Sequence, residues 1–129
     1  MNKRIILTAS FFGMTAVALG AYGAHGLEGK ITEAQLESWG TAVDYQFYHT
    51  VALLFLATFS RAKNQYIRFS FVTFTLGILL FSGSLYLLST RSLTGIGLAN
   101  ILGPITPIGG LCFILGWIGL LIATIKNKG

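Results

Sequence analysis

Long apolar runs separated by short polar segments dominate the chain. Four such runs cover residues 5–23, 45–60, 69–89 and 104–125. A bilayer core of about 30 Å is crossed by roughly 20 helical residues, so three runs have a suitable length and the second is short. The pattern predicts an all-α integral membrane protein, a single domain over residues 1–129 with four transmembrane helices.

The segment before the second run, residues 32–44, has a different pattern. Thr32 and Gln35 have the spacing of a capping box, which satisfies free amides at the start of a helix. Apolar residues then recur at helical spacing: Leu36, Trp39, Val43 and Phe47. We expect a short amphipathic helix at the membrane interface, anchored by Trp39, that bends or runs on into the second span.

The composition supports a membrane protein. Hydrophobic residues make up 53% of the 129 residues and charged residues only 10%, which is more apolar surface than a soluble core of this size can bury. The net charge of +5 does not indicate nucleic acid binding, because the basic residues flank the apolar runs instead of forming a stripe on one helix.

The distribution of charge predicts an orientation. One side of a four-span chain would hold seven basic residues: Lys3, Arg4, Arg61, Lys63, Arg68, Lys126 and Lys128. The other side would hold Lys30 and Arg91 with all four acidic residues: Glu28, Glu33, Glu37 and Asp44. The positive-inside rule then places both termini in the cytoplasm of a bacterial inner (plasma) membrane.

The first run has an alternative interpretation as a secretory signal. Lys3 and Arg4, an apolar core and small residues around Ala21 to Ala24 resemble a signal with its cleavage site. We expect an uncleaved span, since the apolar stretch is long for a signal core.

Small residues form two candidate helix-packing faces. Helices in lipid associate where small residues let backbones approach. The first face contains Gly13, Ala16, Gly20, Gly23 and Ala24, and the second contains Cys112, Gly116, Gly119 and Ala123. These faces would pack within a four-helix bundle or between protomers, and we expect a homo-oligomer. Cys112 is interpreted as a small packing residue.

Most other polar residues converge on the predicted outer side. The candidate binding pocket consists of His49, Asp44, Arg91, His25, Tyr48 and Ser84. In one interpretation His49 and Asp44 bind a solute or relay a proton while Arg91 holds an anion, because ionisable groups at membrane depth are functional candidates. In the other, these side chains are interfacial residues at the headgroup level.

Enzyme chemistry has little support in the sequence. The two histidines lack the spacing of a metal site, and no cofactor is expected. Ser84 with His49 could imitate a serine hydrolase, although Ser84 also belongs to a small-residue packing run. No phosphate loop or dinucleotide fingerprint occurs, so we predict a protein that is not an enzyme.

Both prolines lie in one segment with two glycines: Pro104, Pro107, Gly109 and Gly110. We predict that Pro104 starts the last helix, where a missing amide has no consequence, with Pro107 still in its first turn. The glycines would let a neighbouring backbone come close. The positive end of this helix would face His49 and Arg91 and favour an anion.

Four ordered blocks resemble a known family: GAYGAHGL (20–27), YHTVALL (48–54), FSGSLYLLS (81–89) and LGPITPIGGLCFILGW (102–117). They are similar to the small bacterial membrane proteins of the domain of unknown function 423 family, which includes YgdD-like and YwdK-like proteins and resembles eukaryotic transmembrane protein 256. The resemblance implies a polytopic membrane protein and supplies no catalytic residue.

Two functional classes remain open from the sequence. The first is a binding or transport module with an outward-facing polar pocket for a small polar or anionic solute. The second is a structural or accessory membrane subunit that packs through its glycine-rich helix faces. The lipid bilayer is the common partner of both.

Overall fold

The computed structural model describes residues 2–59, 64–95, 97 and 99–126. Its elements are α1 (Lys3–His25), α2 (Glu33–Phe59), α3 (Gln65–Ser89), the short α4 (Arg91–Thr94) and α5 (Ala99–Lys126). Among the residues described, three helices are by length and composition suited to cross a membrane: Lys3–His25, Gln65–Ser89 and Asn100–Lys126. The all-α membrane class predicted from the sequence is therefore confirmed.

The segment predicted as a separate interfacial helix is the first half of α2. The capping box forms as expected: the Thr32 amide donates to Gln35 Oε1 at 3.0 Å, and the Gln35 amide donates to Thr32 Oγ1 at 3.1 Å. From Glu33 the helix continues without a break to Phe59. Of the two alternatives stated for this segment, a bend or a continuous helix, α2 adopts the continuous helix.

Trp39, the predicted interfacial anchor, packs against two neighbouring helices. Its side chain is only 6% exposed, and its indole N–H donates to the Leu19 carbonyl at 2.8 Å. Its ring also makes an edge contact with Tyr86, with ring centroids 4.7 Å apart. Trp39 therefore joins α1 and α3 to α2.

A π-helical turn divides α3. The helix is α-helical over Gln65–Gly77, π-helical over Ile78–Ser82 and α-helical again over Gly83–Ser89. Such a turn inserts one extra residue and is frequent at functional or closely packed positions. Here Gly109 of α5 lies directly against the backbone of the turn, at Phe81.

The helices pack mainly in chain order: α1 against α2, α2 against α3, and α3 against α5. The apolar core includes Ile5, Phe12, Leu53, Leu56, Phe74 and Phe113. Large apolar side chains are exposed along α1 and α5, including Leu7, Met14, Ile114 and Leu121. These outer surfaces are compatible with contact to lipid acyl chains.

The two prolines do not start the last helix, as the sequence analysis had predicted. Because α5 begins at Ala99, Pro104 and Pro107 both lie inside it. Each falls beyond the first turn, where an ordinary residue would donate to the carbonyl four positions earlier. The carbonyls of Asn100 and Gly103 lose those donors. Gly109 does allow the close backbone approach that was predicted.

The small-residue faces make contacts within the chain. On α1, a Cβ at Gly20 would lie 3.3 Å from Val43, and Ala16 is buried. On α5, a Cβ at Gly119 would lie 3.0 Å from the Phe69 ring, and Ala123 is fully buried. Ala24, by contrast, is exposed. Most of both faces is therefore occupied by the chain's own helices.

Candidate functional site

The structure places Asp44 and His49 on different sides of α2. Five helical residues turn the chain by about 500°, which leaves the two side chains roughly 140° apart around the axis. Asp44 is exposed and lies beside α1, whereas His49 is 4% exposed and contacts α5. The two residues predicted to act together in one pocket are therefore separated by this rotation.

The other predicted pocket residues are also dispersed. His25 is exposed at the end of α1, and Tyr48 is 58% exposed. Arg91 is exposed at the start of α4, where its guanidinium donates to the Leu88 carbonyl at 2.8 Å. Within the described part of the chain, no hydrogen bond or ion pair joins any two of the six predicted pocket residues.

His49 has both ring nitrogens in hydrogen bonds. Nδ1 lies 2.7 Å from the Tyr45 carbonyl oxygen, and Nε2 lies 3.1 Å from Nε1 of Trp117. A carbonyl can only accept and an indole N–H can only donate, so Nδ1 carries the proton and Nε2 accepts. The two contacts together specify the neutral Nδ1–H tautomer.

Aromatic rings enclose His49. Its ring stacks on Phe113, with centroids 3.7 Å apart and planes tilted by 12°. Phe74 lies 5.4 Å away and Tyr45 6.2 Å away, centroid to centroid. The Tyr45 and His49 pair shares a helix face, as its four-residue spacing predicts. The imidazole is thus a packed and hydrogen-bonded part of the interior.

Gln46 is a polar centre that the sequence analysis did not identify. It is 3% exposed, and its amide nitrogen donates to the Phe12 carbonyl at 2.9 Å and to Thr15 Oγ1 at 2.8 Å. Its amide oxygen accepts from the Tyr86 hydroxyl at 2.6 Å. Gln46 therefore connects α1, α2 and α3. A carboxamide inside an apolar run was the signal available in the sequence.

Hydroxyl groups make further contacts between helices. Ser84 is buried and lies 2.6 Å from the Thr106 hydroxyl of α5. Ser82 donates to the Ala42 carbonyl and Ser70 to the Gly116 carbonyl, each at 2.8 Å. Among the described residues, no buried side-chain nitrogen or oxygen lacks a hydrogen-bond partner. Such bonds stabilise helix association in lipid, each by about 0.6–2 kcal/mol.

A cleft between α1 and α2 contains a carboxylate. Its volume is about 300 Å³, and its lining residues are Gly20, Gly23, Ala24, Leu36, Trp39, Gly40, Val43 and Asp44. Among these, Asp44 alone carries a charge. A Cβ at Gly40 would have no neighbouring atom within 4 Å, so this glycine leaves open space in the cleft wall.

The described residues contain no group of three or more metal-ligating side chains. Cys112 is a free, half-buried thiol on α5.

The cleft has an apolar wall and one carboxylate. An apolar lining with a few polar groups is common in ligand pockets.

The fold and the interhelical hydrogen bonds define a small helical integral membrane protein. The sequence model of a family described as "Protein of unknown function (DUF423)" matches residues 19–110. The chain belongs to this family. The resemblance inferred from the four sequence blocks is therefore confirmed.

Bacterial relatives match nearly the full chain. A UPF0382 membrane protein of Staphylococcus aureus (strain bovine RF122 / ET3-1) is 45% identical over 127 residues, covering 98% of this chain and 99% of the relative. UPF0382 membrane protein YwdK of Bacillus subtilis (strain 168) is 42% identical, covering 96% and 98%. A UPF0382 membrane protein of Haemophilus influenzae (strain ATCC 51907 / DSM 11121 / KW20 / Rd) is 40% identical, covering 99% and 98%. No solved structure matches the chain.

Proposed function

We propose that the chain crosses a bacterial inner membrane four times, with α2 as the second span. Its 27 residues give a helix of about 40 Å, long enough for a bilayer core even if its first turns lie in the headgroup region. The packing of α2 between α1 and α3 supports this arrangement. The positive-inside distribution supports cytoplasmic termini.

The function that the geometry supports best is non-enzymatic binding of a small molecule in the cleft between α1 and α2. The observation that carries this proposal is the Asp44 carboxylate in the wall of a cleft of about 300 Å³. His49 is a weaker candidate, since both its nitrogens already have partners. In the proposed topology the cleft lies near the outer end of the spans, where a solute could enter from outside or from the outer leaflet.

This proposal replaces the larger polar pocket expected from the sequence. Arg91 and Ser84 do not line the cleft, and the cleft's single charge is negative. An anionic solute is therefore disfavoured there, because a carboxylate repels it. A neutral or cationic solute fits the lining better.

Filling the cleft tests the binding function. Gly40→Leu places a side chain in open space, and Gly83→Leu is the matched control because a Cβ at Gly83 also meets nothing within 4 Å. Trp39 lines the cleft and reports occupancy through its fluorescence when the second tryptophan is replaced in a Trp117→Phe background.

The probe is brominated undecanol, whose bromine quenches nearby tryptophan, added to protein in dodecyl maltoside micelles. We expect saturable quenching that Gly40→Leu abolishes and Gly83→Leu retains. Quenching that does not saturate, or that Gly40→Leu leaves unchanged, would rule out binding in this cleft.

A second candidate is a structural or accessory subunit that assembles with itself or with another membrane protein. It is favoured by the large apolar side chains exposed along α1 and α5, which offer a surface that another membrane-spanning chain could cover. Crosslinking in native membranes, followed by mass measurement of the purified complex, tests it. A species of one chain only would exclude the predicted homo-oligomer.

A further inference from the structure

We infer that the cleft between α1 and α2 recognises the ammonium group of a cationic amphiphile. This inference rests on the binding function proposed above and specifies its ligand class. The chemistry required is one positively charged nitrogen attached to an apolar chain.

The lining of the cleft matches both parts of such a molecule. Leu36 and Val43 provide apolar contact, and Asp44 provides the only charge among the lining residues. A carboxylate accepts charge-assisted hydrogen bonds from an ammonium group, and these bonds are stronger than neutral ones.

The indole of Trp39 forms the other edge of the lining from Asp44. The two residues are five positions apart on α2, roughly 140° around its axis. The indole is held in place by the hydrogen bond to the Leu19 carbonyl. Trp39 therefore provides apolar surface for the alkyl chain, while Asp44 meets the ammonium group.

The charge around the cleft is negative. Glu28, Glu33 and Glu37 are exposed on the loop and the first turns of α2, at the same end of the molecule as Asp44. The basic groups at this end are His25, Lys30 and Arg91, all exposed, and Ser92 next to Arg91 donates to Gln35 of α2 at 3.4 Å. The four carboxylates outnumber these three groups, so the local potential attracts cations and repels anions.

The size of the cleft limits the ligand. A volume of about 300 Å³ is at the lower end of the range for small-molecule pockets. It accommodates a charged head and the first part of an alkyl chain, while the rest of the chain would lie in the surrounding lipid. Amphiphilic amines and lipids with an amino headgroup share this chemistry.

Three brominated undecyl probes distinguish charge recognition from simple apolar binding: the ammonium, the alcohol and the sulfate. Binding is measured by saturable quenching of Trp39 in the Trp117→Phe background, in uncharged dodecyl maltoside micelles. We expect the ammonium to bind about fivefold more tightly than the alcohol, which is the upper range for an ion pair with an exposed carboxylate. The sulfate should bind most weakly.

Asp44→Asn should remove the preference for the ammonium probe while leaving the alcohol unaffected. Glu37→Gln is the matched control, because it removes the same charge from the same helix at a residue that does not line the cleft. We expect its effect to stay within about twofold, as for a screened surface charge. Equal effects of the two variants would overturn direct recognition by Asp44.

The binding function and the ligand class fail in different ways. If the alcohol and the ammonium bind equally and Gly40→Leu abolishes both, the cleft binds ligands but the ammonium inference is wrong. If Gly40→Leu changes neither, the cleft is not the site. Competition of phosphatidylethanolamine with the ammonium probe would identify a membrane lipid as the source of the ammonium group. Competition by octylamine alone would identify a free amine. Competition by neither would overturn the inference.

Discussion

The indole N–H of Trp117 in α5 donates a hydrogen bond to Nε2 of His49 in α2, across 3.1 Å. Together with the stacking of His49 on Phe113, the contact joins α2 directly to α5, although the backbone of each packs more closely on α3. It also fixes the proton of a buried imidazole, since Nε2 must remain an acceptor.

The neutral Nδ1–H tautomer of His49 should be visible by nitrogen-15 NMR of labelled protein. We expect Nδ1 to show the shift of a protonated nitrogen and Nε2 that of an unprotonated one. Trp117→Phe removes the donor to Nε2, so the proportions of the two His49 tautomers should change. His25 is exposed and is the only other histidine, so it is an internal control that should not change. A protonated Nε2 in the native protein would contradict the hydrogen-bond assignment.

Gly109 should tolerate no side chain. A Cβ there would lie 2.7 Å from Cα of Phe81 in the π-helical turn, and a backbone cannot move aside as a side chain can. We expect Gly109→Ala to reduce the free energy of unfolding by about 1–3 kcal/mol, as overpacking does.

Gly110→Ala is the control for this prediction. A Cβ at Gly110 would lie 3.8 Å from the Phe81 ring, which is ordinary contact, so we expect a change within about 0.5 kcal/mol. Both variants can be compared by unfolding with dodecyl sulfate in mixed micelles. Equal stability of the two variants would show that α3 and α5 are not packed this closely.

The helical class was predictable because bilayer thickness imposes a length on apolar runs. The boundaries were less predictable. Pro104 favours a helix start on local grounds, yet the helix begins five residues earlier, at Ala99. A proline near the end of a helix leaves one backbone carbonyl oxygen without its N–H donor. The packing of the rest of the helix outweighs that loss. The π-helical turn at Ile78–Ser82 has no recognisable sequence signal, because it depends on the approach of Gly109.

The candidate site was predictable only in part. The sequence identified Asp44 as a candidate, and Asp44 lines the cleft. The five-residue spacing already separates His49 from Asp44 by roughly 140° around α2. Which neighbouring helix each side chain contacts depends on the packing of the helices and does not follow from the spacing. Gln46 was not predicted, because one uncharged residue in an apolar run is less distinctive than a histidine. It nevertheless makes more hydrogen bonds to other helices than His49 does.

Gln46 and Tyr86 should be energetically coupled. The Tyr86 hydroxyl donates to the Gln46 amide oxygen at 2.6 Å, and Gln46→Leu would leave that hydroxyl without its partner. A double-mutant cycle of Gln46→Leu and Tyr86→Phe measures the pair. We expect a coupling of about 0.6–2 kcal/mol in the free energy of unfolding. Additive effects would indicate that the two side chains do not share a hydrogen bond.

The proposed orientation predicts which positions are accessible from outside the cell. In a Cys112→Ala background the chain has no other thiol, so single cysteines can be introduced at exposed charged positions. Glu28→Cys lies in the loop after α1 and Lys126→Cys at the end of α5, so the positive-inside distribution places them on opposite sides. An impermeant maleimide should label Glu28→Cys in intact spheroplasts and Lys126→Cys only after the membrane is permeabilised. The reverse labelling pattern would invert the orientation, and labelling of both in intact spheroplasts would indicate an odd number of spans.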